Sequence, residues 1–489
     1  MPRAAFPVWN SFALDRAGTS PVQEQLVRFF RDAVVRGALA PGTRVPGTRV
    51  LAQELGLARN TVALAYERLI AEGFLEARHG SGTFVPSRLP RPPARPAARA
   101  AGRRGSARAL GLLAIGAPPS TPSTWPLTPG LPALDAFPRA LWARLSARAW
   151  RNAPELGYAD PAGLRALREA LSAYLGAARG VVCRPEQVIV TSGTQEAVLI
   201  AAMATADPGE RVWVEEPGYP SSRRALTLAG LTAVGVPVDE EGLDVAAGRV
   251  LAPGARLALV APSHQYPTGV VMSLGRRLEL LAWAGAADGF VVEDDYDSEF
   301  RYDGAPVPPL KALDGEDGGR VLYVGTLSKL LAPGVRLGFL VVPDRLIDAA
   351  LAVRAAVSRH VAPPLQATAA AFIGDGHLGA HIRRVRPLYA ERRAALLTAA
   401  AEAGIAPVTG SATGLHVLVR LPGGTDDAAV AAAARARRLG VTALSAHALA
   451  GAEVGSGLLL GFGNTPARAT KQALRMLAAC LEEAESGAS

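Results

Sequence analysis

From Arg88 to Ser106 the chain reads Arg-Leu-Pro-Arg-Pro-Pro-Ala-Arg-Pro-Ala-Ala-Arg-Ala-Ala-Gly-Arg-Arg-Gly-Ser. Four prolines fall within its first nine residues, and no hydrophobic period runs through it to Gly111. Neither a helix nor a strand can continue from one side of such a stretch to the other. At 489 residues the chain is also too long for one typical core, so it must fold as two or more bodies. The expected division is residues 14–87, a linker at 88–113 and a body at 114–489. The linker's first half should be stiff and extended, its Gly/Ser half more pliable, and its like charges hold it open.

Charge is distributed just as unevenly. The formal net charge is +9, yet residues 1–87 hold ten arginines against seven acids, and residues 88–108 hold seven arginines and no acid. The rest is nearly neutral. A basic N-terminal part on a neutral body points to a polyanionic partner for that part alone, with a solvated arginine-rich tail as the bland alternative. The linker itself reads as a solvated tether, and gripping phosphates is its second possible role. No run of about 18 uncharged apolar residues and no signal-peptide apolar stretch occur, so no membrane partner and a cytoplasmic, nucleoid-associated location are expected. Cys183 and Cys480 have neither zinc-site nor redox spacing, and no metal site is expected.

The N-terminal part has the pattern of three helices and a hairpin. Val22, Leu26, Phe29, Phe30, Ala33 and Val34 recur at helical spacing up to Gly37. Leu51–Leu55 is a short helix, and Gly56-Leu-Ala a turn. Arg59 to Glu72 is a third helix with Val62, Ala65, Tyr66, Leu69 and Ile70 as its inward stripe. Gly73 to Val85 then alternates around Gly80-Ser81-Gly82, as a hairpin does. This is the plan of a winged helix-turn-helix. Its third helix can enter a DNA major groove with Arg59, Asn60 and Thr61 leading, while Arg78 and His79 lie on the wing.

The segment Pro41-Gly-Thr-Arg-Val-Pro-Gly-Thr-Arg49, with the later Arg59-Asn-Thr-Val62 and His79-Gly-Ser-Gly-Thr-Phe-Val85, resembles GntR-type DNA-binding domains over about residues 20–86. The resemblance implies DNA contacts at Arg49, Arg59, Thr61, His79 and Gly80, and a phosphate contact at Arg44. Gly47 and Ala58 stand where that family usually places serine or a similar hydroxyl. Ala58 deprives the third helix of an N-cap hydroxyl, a loss of about 1 kcal/mol.

In the body, apolar strand candidates alternate with helical stretches: Gln187–Thr191, Arg211–Glu215, Leu257–Ala261, Phe290–Asp294, Val321–Gly325 and Gly338–Val342. This is the pattern of an α/β fold around a buried, largely parallel sheet. From about Pro363 on, amphipathic helix and two late strand pairs, Leu415–Leu421 and Leu458–Gly463, form a smaller domain. In Tyr323-Val-Gly-Thr-Leu-Ser-Lys329, a lone lysine follows small hydroxyl residues and precedes Arg336. A lysine amine can form a Schiff base with an aldehyde, and Thr326, Ser328 and Arg336 can hold a phosphate. The stretch resembles the pyridoxal-phosphate lysine segment of fold-type I aminotransferases.

The other positions fall into order around it. Thr191-Ser-Gly-Thr-Gln195 follows a strand and opens a helix, so backbone N–H groups at Gly193 and Thr194 can meet a phosphate. Asp294 ends a strand and suits a carboxylate paired with a pyridinium nitrogen. Tyr296, two residues on, points the same way and can bond the ring's phenolic oxygen. By the resemblance, Tyr219 stacks on the pyridine.

Pro262-Ser-His-Gln-Tyr-Pro-Thr-Gly269, Glu293-Asp-Asp-Tyr-Asp-Ser-Glu-Phe-Arg-Tyr302, the Lys329 segment and His381-Ile-Arg-Arg-Val-Arg386, behind a winged helix, resemble the MocR family of GntR-type regulators. That resemblance implies a head-to-tail homodimer in which the aminotransferase-like domain binds pyridoxal phosphate and senses a metabolite. Tyr158 would then reach the neighbouring subunit's phosphate. Tyr266 replaces the asparagine that aminotransferases use on the ring oxygen. Leu459 and Ser221 stand where relatives carry a carboxylate-binding arginine, for which Arg223, Arg224 or Arg359 could substitute. The reading is a transcription factor that binds operator DNA and senses pyridoxal phosphate, or a small amine or amino acid reacting with it. The alternative is a working aminotransferase with a DNA-binding head.

Overall fold

The computed structural model describes residues 12, 14–15, 20–87, 105–115, 122, 125–152, 157–304, 307–315, 319–405, 408–409, 412–449 and 452–487. Two compact units emerge, residues 1–104 and 105–489.

In the first unit, α1 (Val22–Val35), β1 (Arg44–Val45), α2 (Thr48–Leu55), α3 (Arg59–Ala71), β2 (Glu76–Arg78) and β3 (Gly82–Phe84) follow one another. Leu26, Phe30, Leu51, Val62, Ala65, Tyr66 and Leu69 bury themselves between the three helices, at the spacing the sequence gives them. Ile70 departs from its expected place: at 36% exposure it is on the outer edge of α3, because Leu69 beside it already fills the inward position. The wing is a three-stranded sheet rather than a bare hairpin, since β1 pairs antiparallel with β3. Two residues are too few to show a strand period, so β1 is invisible to sequence reading. The linker expected at 88–113 lies outside the described residues up to 104. Its last residues belong to a helix, α4 (Ala107–Ala114), which Ser106 caps by accepting from the Ala109 amide at 3.2 Å.

The second unit is built on an eight-stranded sheet. Its strands are β4 (Val188–Thr191), β5 (Arg211–Glu216), β6 (Thr232–Asp239), β7 (Gly242–Leu243), β8 (Leu257–Val260), β9 (Phe290–Asp295), β10 (Val321–Thr326) and β11 (Gly338–Val341), in the spatial order β4-β11-β10-β9-β8-β5-β6-β7. Strands β10, β9, β8, β5 and β6 run parallel; β11 is antiparallel to both β10 and β4. All six strand candidates are present. β6 was not anticipated, because Gly235 and Pro237 interrupt it and only Val236 within it is buried. Helices α5 (Arg139–Arg151), α6 (Arg165–Arg179), α7 (Thr194–Thr205) and α8 (Pro220–Ala229) precede or follow these strands.

A second, antiparallel sheet comprises β12 (Val408–Thr409), β13 (His416–Arg420), β14 (Thr442–Ala443) and β15 (Gly457–Gly461), with β13 and β15 at its centre. The smaller domain also takes in chain from well before Pro363. The Gly440 and Gly461 amides donate to the Pro126 and Leu127 carbonyls at 2.8 and 2.9 Å, tying residues 126–131 along β15. Among the described residues no helix is long and apolar enough to cross a membrane.

Candidate functional site: a cofactor cavity and a DNA-reading face

The carboxyl ends of β4, β5, β8 and β9 open into a cavity of about 650 Å³, where ligands of open α/β sheets are expected. Alternation along β9 selects which acid enters it. Glu293 accepts from the Leu310 and Lys311 amides at 2.8 Å, and Asp295 is held on that same face by Arg179 at 2.8 Å and the Tyr323 hydroxyl at 2.7 Å. Asp294 therefore turns the opposite way, onto the cavity. It is buried, and its Oδ1 has no hydrogen-bond partner among the described residues. Burial first, and the neighbouring Asp295 second, push its carboxyl up to about 7, while Lys329 pulls the other way. An N–H donor arriving in the cavity would satisfy this oxygen and keep the carboxylate ionised.

Lys329 follows β10 in a one-turn helix, Leu327–Leu330, which Thr326 caps by accepting from the Ser328 amide at 3.1 Å. Its Nζ donates to the Gly130 carbonyl at 2.7 Å. Gly130 has φ +71°, a left-handed backbone that favours glycine, and a Cβ there would lie 2.8 Å from Nζ and push the amine from its place. At the start of α7, Gly193 has φ +132°, and a Cβ on it would come 3.5 Å from the Arg336 guanidinium. Thr194, Thr326, Ser328 and Arg336 all line the cavity. Tyr219 presents a 41% exposed ring there, edge to face with Tyr266 at 5.4 Å. The Tyr296 hydroxyl lies 3.1 Å from His264 Nδ1, which bonds both oxygens of Asp297 at 3.0 and 3.1 Å.

The structure thus gathers Lys329, Asp294, Tyr296, Tyr219, Thr194, Thr326, Ser328, Arg336 and Tyr266 around one cavity, with Gly193 directly behind Thr194. It does not bring Tyr158 there. That side chain is 79% exposed and lies under the Arg359 guanidinium, 4.1 Å from its ring centre. Leu459 is fully buried in β15 with Leu418 and Leu444, and Tyr266 packs on this cluster, so the usual carboxylate-clamp position is an apolar wall. Sequence reading missed Gly130, Gln195, Ser222, His447 and Arg435 as lining residues. Gln195 ends the Thr191–Gln195 stretch and was within reach of that motif, whereas Gly130, Ser222, His447 and Arg435 sit in no motif and are placed by chain folding from distant segments.

On the first unit, Arg44, Arg49, Arg59, Asn60, Arg78, His79 and Gly80 are exposed, and Thr61 is half-buried. Arg59, Asn60 and Thr61 open α3, whose N-cap, Ala58, makes no side-chain capping bond. Arg78 is already engaged: its Nε donates to Glu76 at 2.9 Å, and its guanidinium sits 4.6 Å over the Phe84 ring.

An amine-bearing lysine, an unpartnered buried carboxylate, an exposed tyrosine ring and a Thr/Ser/Arg cluster fit an aldehyde cofactor with a pyridine ring and a phosphate. Family comparison agrees. Residues 22–85 match the bacterial regulatory proteins of the gntR family, and residues 132–451 match aminotransferase class I and II. The chain is 40% identical over 387 residues to the probable rhizopine catabolism regulatory protein MocR of Rhizobium meliloti, covering 78% of this chain and 77% of that protein. It is 33% identical over 455 residues to the HTH-type pyridoxine biosynthesis transcriptional regulator PdxR of Corynebacterium glutamicum, covering 92% and 94%. Among solved structures it resembles the alpha-aminoadipate aminotransferase LysN of Thermus thermophilus, complexed with N-(5'-phosphopyridoxyl)-L-leucine (27% identity, TM-score 0.68, 79% of this chain and 97% of that one). The chain belongs to the MocR family of transcriptional regulators, in which a GntR-type winged helix-turn-helix is joined to a fold-type I aminotransferase-like domain that binds pyridoxal phosphate.

Proposed function

We propose that this regulator binds operator DNA as a head-to-tail homodimer in the cytoplasm, at the nucleoid, and that its cofactor cavity senses pyridoxal phosphate or a small amine reacting with it. The observation that carries this reading is that Lys329 and Asp294 line one cavity, while Leu459, where relatives carry a carboxylate-binding arginine, is buried in the small sheet. When bound, the cofactor supplies an electrophilic aldehyde carbon and an electron-withdrawing ring. Lys329 would offer the amine, Asp294 would hold the ring nitrogen protonated, and Tyr219, Tyr296 and Tyr266 would receive the ring. Gly193, Thr194, Thr326, Ser328 and Arg336 would hold the phosphate, joined by Tyr158 of a second subunit. In favour of that last role, Tyr158 is exposed and outside its own chain's cavity. On DNA, Arg59 and Asn60 read base edges, Thr61 and Arg44 meet phosphates, Arg49 makes a further contact, and Arg78, His79 and Gly80 carry the wing. Arg78 reaches DNA only by exchanging Glu76 for a phosphate.

The test combines the cofactor's visible absorption with DNA binding. Lys329→Ala should abolish the absorption band, while DNA carrying the operator is still bound and no longer responds to added cofactor or amine. Loss of DNA binding in the same variant would contradict separate sensing and DNA-reading units. Many turnovers of amino acid and keto acid at ordinary enzymatic rates would favour a working aminotransferase instead.

A further inference from the structure

Among the lining residues with no part in holding the cofactor, two carry buried polar atoms without a partner among the described residues. Arg223, on α8, is 5% exposed, and its Nη2 donates to the His447 carbonyl at 3.1 Å. Its Nε has no hydrogen-bond partner among the described residues. His447, on the short turn Ser445–His447 after β14, is equally buried. Its carbonyl is committed to Arg223 and to the Gly218 amide at 3.1 Å, but neither ring nitrogen has a partner among the described residues. Arg223 and His447, from two segments more than two hundred residues apart, thus meet at one cavity with three orphaned polar atoms between them. A buried polar atom without a partner calls for a physical reason, and beside an open cavity a ligand that completes it is one.

Charge says what completes them. Arg223 makes no ion pair among the described residues; the carboxylate of Glu216 is occupied by the Leu449 amide at 3.0 Å, and Arg224 adds a second positive charge alongside. Burial first, and then Arg223, hold His447 down at about 4, so the imidazole is neutral and offers one N–H. A guanidinium N–H and an imidazole N–H on one wall make a donor pair for an oxyanion. We propose that Arg223 and His447 form an anchoring subsite for the acid group of the effector, which is therefore a small primary amine bearing a carboxylate at its far end. This subsite replaces the clamp that Leu459 and Ser221 lack, and it sits on α8 and the turn after β14 instead of on β15. The inference rests on the sensing role proposed above for the Lys329 cavity.

The test uses the cofactor-loaded full chain and follows its visible absorption band during titration. The probes are ω-amino carboxylates of increasing chain length against n-alkylamines matched to them. For one chain length the amino carboxylate should move the band at concentrations at least ~10-fold lower than its alkylamine, a charge-assisted bond's share of affinity. Arg223→Gln should erase that preference, Arg223→Lys should restore part of it, and His447→Gln should reduce it. Should Arg223→Gln fail to fold, the Lys and His447 variants decide. Equal responses to both probe series in the wild type, or a preference that survives Arg223→Gln and His447→Gln, overturns the subsite while leaving the sensor intact. A band that no amine moves overturns the sensor reading, and the subsite with it.

Discussion

A hydroxyl is missing from the start of each helix of the DNA-reading motif. Gly47 is the N-cap of α2 and Ala58 that of α3, and neither supplies a side-chain acceptor to the free amides of the first turn. Ala58→Ser should stabilise the first unit by about 1 kcal/mol, read as a shift in its denaturation midpoint. A destabilised or unchanged midpoint would show that those amides are already satisfied. Gly130 carries the opposite expectation. A methyl group there meets the Lys329 amine at 2.8 Å on a left-handed backbone. Gly130→Ala should therefore weaken cofactor affinity at least ~10-fold by equilibrium titration, with the melting of the first unit unmoved. These two residues differ in legibility. Ala58 is readable beside Arg59 because a cap acts within one helical turn, whereas Gly130 lies 199 residues from the lysine it touches.

At the scale of elements, the sheet delivers acids to the cavity at strand ends and keeps them dry. Burial foremost pushes Glu215, on β5, up to about 8, and Asp294, on β9, to about 7. A carboxyl whose folded-state value lies above its unfolded value of about 4 keeps a proton that the unfolded chain releases. Stability is thus greatest below about pH 4 as far as these groups decide it, and falls as pH rises through 7 to 8. The melting temperature of the cofactor-free protein should drop between about pH 5 and pH 8, and cofactor should reduce the drop by giving Asp294 a partner. A melting temperature that stays flat over that window would mean both acids are already ionised in the native state. The strands bearing these acids were legible as apolar runs. β6 was not, since its buried content is a single valine, and Ile70 was misplaced because helical spacing leaves the edge of a stripe undecided.

For the whole molecule, the ten arginines of residues 1–87 set a salt-dependent attraction to DNA. Plotting the logarithm of affinity against that of salt concentration, Arg44→Ala should flatten the slope by about one unit. Replacing the seven arginines of residues 88–108 with glutamine should leave the slope unchanged if that stretch is a tether; a flatter slope would make it part of the DNA grip. The sequence by itself determined the division into two units, the winged helix, the α/β class and the Lys329, Asp294 and Thr194 constellation. Each of these rests on interactions within a turn, a strand or a βα junction, where neighbours in sequence are neighbours in space. Only the tertiary structure decided that residues 126–131 lie along β15, that Leu459 walls off the usual clamp, and that Arg223 and His447 face the cavity. Those facts depend on which distant segments the packing of two sheets brings together, and no local period or spacing encodes them.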